Sequence, residues 1–147
     1  MAAWFDYFNL QTRQFDSTID RAILGGRLSQ NVGFAFSAGY QSAIESLFKP
    51  VDQKLSSLCV TEDKGNHPRA IETRLFENAG DYFVDGKKQF VSGAGDSAFI
   101  YVVCRDEIDS DGRDQAGRPV LKVVAIPTNA QGVRITEMPA LGFIPEV

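Results

Sequence analysis

The segment Gly80–Val91, GDYFVDGKKQFV, decides how the second half of the chain is read. Tyr82-Phe83-Val84 and Gln89-Phe90-Val91 are rich in the β-branched and aromatic residues that suit a pleated, half-buried surface. Between them lies Asp85-Gly86. Glycine reaches positive φ without steric cost and aspartate tolerates it, so the dipeptide predicts a tight hairpin turn.

Outward from this hairpin, the pattern from Leu55 onward is that of short strands. Leu58–Thr61, Ile71–Phe76, Ala98–Cys104, Val120–Ile126 and Val133–Glu137 join Tyr82–Val84 and Gln89–Ser92 as apolar runs. Turn signals at Gly65-Asn66, Asn78-Ala79-Gly80, Gly93–Gly95, Asp111-Gly112 and Asn129–Gly132 separate them. A spacing of about ten residues predicts an antiparallel β-barrel or sandwich.

Before Pro50 the period changes. Ser17-Thr18-Ile19-Asp20 forms a helix-capping sequence. Ile19, Ile23, Leu24, Leu28, Val32, Ala35, Phe36, Tyr40, Ile44, Leu47 and Phe48 then recur at three- and four-residue spacing. Pro50 closes the run. A continuous helix over Thr18–Phe48 would be about 46 Å long, against about 38 Å for a compact globule of this chain length. Its apolar groups point to two sides, so the reading predicts that cover comes from another copy or another part of the protein. Trp4, Phe5, Tyr7, Phe8 and Phe15 add an aromatic arm or short helix that packs on something else. The fold class expected is α+β: a long helical segment at residues 1–50, then an incomplete antiparallel β-barrel or sandwich at residues 51–147.

Composition excludes several functions. The 147 residues are 44% hydrophobic and 23% charged, with net charge −4, the profile of a globular domain. At a pI near 4.9, nothing draws the chain electrostatically to nucleic acid or to an anionic membrane. The run Ala98–Cys104 is too short to cross a bilayer, and the N-terminus lacks the pattern of a signal peptide. Cys59 and Cys104 sit in apolar runs and read as buried free thiols rather than a disulfide, which places the protein in the cytoplasm.

Few motifs carry chemistry alone. Arg105–Arg118, RDEIDSDGRDQAGR, sets Glu107, Asp109, Asp111 and Gly112 at calcium-loop positions, but Arg118 stands where the bidentate glutamate belongs. It reads as a solvated hairpin loop. His67 is the sole histidine, so no metal set is expected. Gly93-Ala94-Gly95-Asp96 leads into a strand, not into the helix that a phosphate loop requires. A flavin ring needs a flat apolar wall and nearby hydrogen-bond donors. Cys59–Glu62 and Lys88–Ser92 offer two hydroxyl-bearing strand ends, although both hydroxyls also read as ordinary strand termini.

Those segments carry a family resemblance. Cys59-Val60-Thr61-Glu62 resembles the opening of the "CLTEPxAGSD" strand of the acyl-CoA dehydrogenases, and GKKQFVS (86–92) is similar to their "GxKxWIT", with Phe90 for Trp and Ser92 for Thr. VLKVVAIPTNAQGVRI (120–135) resembles "ISAFLVPKDTPGV", and RAILGGRLSQNVGFAFSAGYQSAI (21–44) resembles the helix leading into the middle domain. The resemblance implies FAD as cofactor, with Thr61 and Ser92 bonding the flavin and Phe90 lining its ring. It implies α,β-dehydrogenation of an acyl-CoA or related acyl thioester by the complete enzyme, in a homo-oligomer or with a dehydrogenase-like partner subunit. The alternatives are a non-catalytic dehydrogenase-like subunit or interaction module in a hetero-oligomer, and a small apolar-ligand barrel without flavin. After Glu62 the chain has Asp63-Lys64-Gly65-Asn66-His67-Pro68, where the family has a glycine- and serine-bearing turn near the thioester. Glu62 and Asp63 are the acidic residues nearest in sequence to these motifs. The resemblance gives Glu62 a structural place, leaves the catalytic base unassigned, and implies further barrel strands beyond Leu141–Val147.

Overall fold

A computed structural model describes residues 1–50, 52–108 and 111–139. The chain divides into two compact units: Met1–Ser57, Ser92–Phe99 and Thr128–Val147 in the first, Leu58–Val91 and Ile100–Pro127 in the second. Leu141–Val147 and Asp109 lie outside the described residues.

Among the described residues, the first unit holds three α-helices, α1 (Ala2–Thr12), α2 (Thr18–Leu28) and α3 (Val32–Phe48). Ser17 caps α2 as expected, its side chain accepting from Asp20 N at 3.3 Å. The single long helix does not form. It breaks at Ser29–Asn31, where Asn31 starts α3 by accepting from Phe34 N at 2.8 Å. A new cap there satisfies an N–H group that a helix start leaves orphaned. The break lets α2 and α3 pack on each other, so part of the cover expected from another molecule is internal.

Arg21 ties the three helices together. It is only 4% exposed. Its guanidinium pairs with Glu45 of α3 and donates to Asn9 Oδ1 (3.0 Å) and Thr12 Oγ1 (3.3 Å) of α1. The charge also lies 5.7 Å from the Phe8 ring centroid. Around it Phe5, Phe8, Ala38 and Leu55 form the core, with Trp4 stacked on Phe8 and Phe34. The aromatic N-terminus is thus a core helix. Gly25 permits the crossing, since a Cβ there would collide with the Phe8 ring and lie 2.7 Å from Ala38 Cβ.

Among the described residues the sheet has five strands and runs β1 (Ser56–Cys59), β4 (Phe99–Asp106), β2 (Arg74–Asn78), β3 (Asp81–Asp85), with β5 (Leu121–Pro127) also on β4. It is open and mixed, which keeps the expected α+β class and incomplete β-domain but not a wholly antiparallel pairing. β2 and β4 run parallel through Arg74↔Arg105 and Leu75↔Asp106. Cys59, Leu75, Val102 and Cys104 form its buried core, with Val84, Val91, Val124 and Ile126 against them. The expected strand Val133–Glu137 is absent among the described residues.

The hairpin forms one turn earlier than the sequence suggested. Tyr82–Val84 pairs back onto Leu75–Glu77, through the two-residue loop Ala79-Gly80. Both loop residues have positive φ, 55° and 88°, the geometry that matches strand twist in a tight hairpin. Gln89–Ser92 is not a strand at all, because Phe90 at φ 57° cannot continue one.

Two outcomes follow. Gly25→Ala should destabilise the helical unit by about 1–3 kcal/mol through overpacking, whereas Gly26→Ala, with nothing within 4 Å of its Cβ, should be neutral or gain up to about 1 kcal/mol. Denaturant titration followed by Trp4 fluorescence checks both. Cys59 and Cys104 are buried free thiols. Burial pushes each up to about 11, outweighing the Lys88 charge that pulls the other way. Neither should react with a thiol–disulfide reagent near neutral pH until the protein unfolds, and both should react in denaturant.

Candidate functional site

The site is organised around a carboxylate. Glu62 follows Thr61 and is 6% exposed. Its two oxygens accept from Glu72 N (2.7 Å), Thr73 N (3.1 Å), Thr73 Oγ1 (2.6 Å) and Lys88 Nζ (2.6 Å). Lys88 is equally sequestered and also donates to Val60 O at 3.2 Å. The next residue completes the join: Gln89 N donates to Thr61 O at 2.9 Å, and Gln89 Nε2 to Glu62 O at 3.1 Å. Residues 60–62, 72–73 and 88–89 are therefore locked as one block.

This block explains the Gly86-x-Lys88 spacing physically. A Cβ on Gly86 would sit 2.7 Å from Thr73 Cα and collide with its hydroxyl. Glycine is needed there for close backbone approach, not for a turn. Two residues on, on the same side of an extended chain, Lys88 reaches the carboxylate that Thr73 also holds.

Thr61 is half-buried beyond the end of β1, not at the strand terminus that the sequence suggested. Phe90 follows the Gln89 anchor and is 64% exposed, with its backbone in the left-handed region. The structure joins the Thr61 and Phe90 segments through Gln89. Ser92 belongs to the helical unit. Its carbonyl accepts from the buried Ser57 hydroxyl at 2.6 Å, which lies 2.7 Å from Ser97 Oγ, in a turn where Gly93 has φ 71°. Of the acidic candidates, Glu62 is the structural residue that the resemblance implied, and Asp63 is exposed. Thr73 was missed in the sequence because nothing local marks it; Lys88 was visible only as part of a motif.

Burial alone would raise the Glu62 carboxyl. The bonds from Lys88, from the Thr73 hydroxyl and from the Glu72 and Thr73 amides overcome it and hold the group at about 2. A folded value below the unfolded one stabilises the protein fully above pH 4.5, and that stability is lost as pH falls toward 2. The contribution is on the order of 3 kcal/mol. Glu62→Gln should lower stability at neutral pH and flatten its decline over this window, as measured by denaturant titration at a series of pH values.

Comparison with known protein families matches residues 57–144, more than half of the chain, to the "Acyl-CoA dehydrogenase, middle domain" family. No curated protein matches. Among solved structures, a probable acyl-CoA dehydrogenase from Mycobacterium abscessus is 20% identical with TM-score 0.50, over 87% of this chain and 33% of that one. A glutaryl-CoA dehydrogenase from Mycobacterium smegmatis, solved in complex with FADH2, is 13% identical with TM-score 0.48, over 89% of this chain and 41% of that one. The chain thus spans about a third of the length of the first and less than half of the second. The match over residues 57–144, with a three-helix segment preceding an open mixed sheet, places this chain in the acyl-CoA dehydrogenase family.

Proposed function

We propose that this chain is part of an FAD-dependent oxidoreductase that dehydrogenates an acyl-CoA or related acyl thioester, with Thr61, Phe90 and Ser92 on the flavin. The observation that carries this is Phe90. A left-handed backbone is unfavourable for an aromatic residue, and such strain persists where a site requires it. A planar apolar partner such as an isoalloxazine face relieves the exposure by stacking. The Thr61 segment, tied to Gln89, places a hydroxyl-bearing loop in the same block, and the residues present fit a flavin edge. When bound, flavin supplies the acceptor for the hydride leaving the β-carbon of the thioester.

The α-proton must pass to a carboxylate, and Glu62 does not serve. Its oxygens are engaged by four donors, and a group titrating at about 2 is far too weak a base near neutral pH. The base therefore belongs to another residue of the complete protein, and cytoplasmic oligomers with like or dehydrogenase-related subunits are the expected assembly.

FAD titration tests the placement. Each lost hydrogen bond costs about 1 kcal/mol, so Thr61→Val plus Ser92→Ala should weaken FAD binding by about tenfold or more. An unchanged dissociation constant in that double variant would place the flavin elsewhere. Acyl-CoA turnover that depended on Glu62 would reassign the base.

A further inference from the structure

The strain at Phe90 has a source in the same unit. Three anchors precede it within two residues: Lys88 to Glu62 Oε1 and Val60 O, Gln89 N to Thr61 O, and Gln89 Nε2 to Glu62 O. Directly after it, Val91 packs into the sheet core. The chain is thus fixed on both sides of one residue, and Phe90 absorbs the mismatch at φ 57° with its ring outward. A left-handed aromatic residue costs about 1–3 kcal/mol and survives only where its surroundings over-determine it. Lys88 is the charged member of this clamp, paired with the buried Glu62 carboxylate immediately before the strained residue. A lysine is rarely hidden unless paired, and apolar packing alone would fill its place at less cost.

We propose that Lys88 is a positioning residue for cofactor binding: by bridging Glu62 and Val60 O, it holds Phe90 in the left-handed conformation that presents its ring to the flavin. The inference rests on the reading that Phe90 lines a flavin. Lys88 touches neither cofactor nor substrate; it acts through the backbone of residues 88–90. The clamp places binding strength in a buried ion pair, so the ring's orientation is fixed before the cofactor arrives.

The test is a double-mutant cycle in this chain, read by quenching of free FAD fluorescence, with circular dichroism confirming that each variant is folded. Phe90→Ala should weaken FAD binding about tenfold, and Lys88→Met should do the same. The variant carrying both should bind no more weakly than either alone, because Lys88 acts through Phe90. Lys88→Arg, which keeps the bridge, should restore most of the affinity. If Phe90→Ala weakens binding and Lys88→Met does not, the positioning role is overturned while the flavin site stands. Additive losses in the double variant overturn it too. If Phe90→Ala leaves affinity unchanged, the flavin placement itself fails and takes this role with it. Should Lys88→Met not fold, Glu62→Gln replaces it in the cycle with the same expectations. Phe90→Asn gives a separate reading of the strain. Asparagine accepts the left-handed region, so this variant should melt at or above the wild-type temperature while binding FAD more weakly. A lowered melting temperature would show that Phe90 is not held under strain and would overturn the proposal.

Discussion

The carboxylate of Glu62 sets the order in this protein's β-unit. A buried anion is tolerated only when its lone pairs are met by donors. Here they come from two separate stretches, the amides and hydroxyl at residues 72–73 and the ammonium of Lys88, while the neighbouring Gln89 side chain bonds the Glu62 backbone carbonyl. Satisfying one charge therefore folds three loops into one block. The block then decides where neighbouring side chains go. It brings Gly86 against Thr73, starts β2 at Arg74, and carries Phe90 to the surface.

The helical unit solves the same problem with the opposite sign. Arg21 is a buried cation neutralised by Glu45, with further donors on Asn9 and Thr12, so meeting its guanidinium in full draws on all three helices. Its guanidinium lies over the Phe8 ring, and Gly25 allows the close approach of the helices there. Each compact unit is thus specified by one hidden charge with partners distant in sequence. Apolar packing alone would tolerate slippage; a charge that loses its partner would not.

Much of this was legible from residues, and the failures have physical causes. The Ser17 cap, the end of the helical run before Pro50, the β-rich second half and the two buried thiols all follow from local chemistry. The long helix was misread because Leu28 and Val32 keep helical spacing across the break; Asn31, with its side chain on Phe34 N, was the local sign to the contrary. The hairpin was placed at Asp85-Gly86 because glycine after aspartate suggests positive φ. The structure uses that glycine for close approach and gives the turn to Ala79-Gly80. The parallel β2–β4 pair was invisible, since sequence spacing does not report strand direction. The Thr61 and Phe90 segments were marked by motif alone. What joins them, a buried Glu62–Lys88 pair, depends on tertiary contacts that no local pattern encodes.

The division of the chain into units has a consequence for biosynthesis. Residues 92–99 belong with the helices, although they are flanked on both sides by stretches of the β-unit. A ribosome delivering this chain from the N-terminus exposes α1, α2 and α3 long before Ser97 can reach Ser57 or Thr128 can bond Ser97 O. The Thr128 bond to Ser97 O is therefore among the last that the helical unit can make, since it requires residues through 128 to have emerged, and neither unit can be cut out as one uninterrupted stretch of sequence.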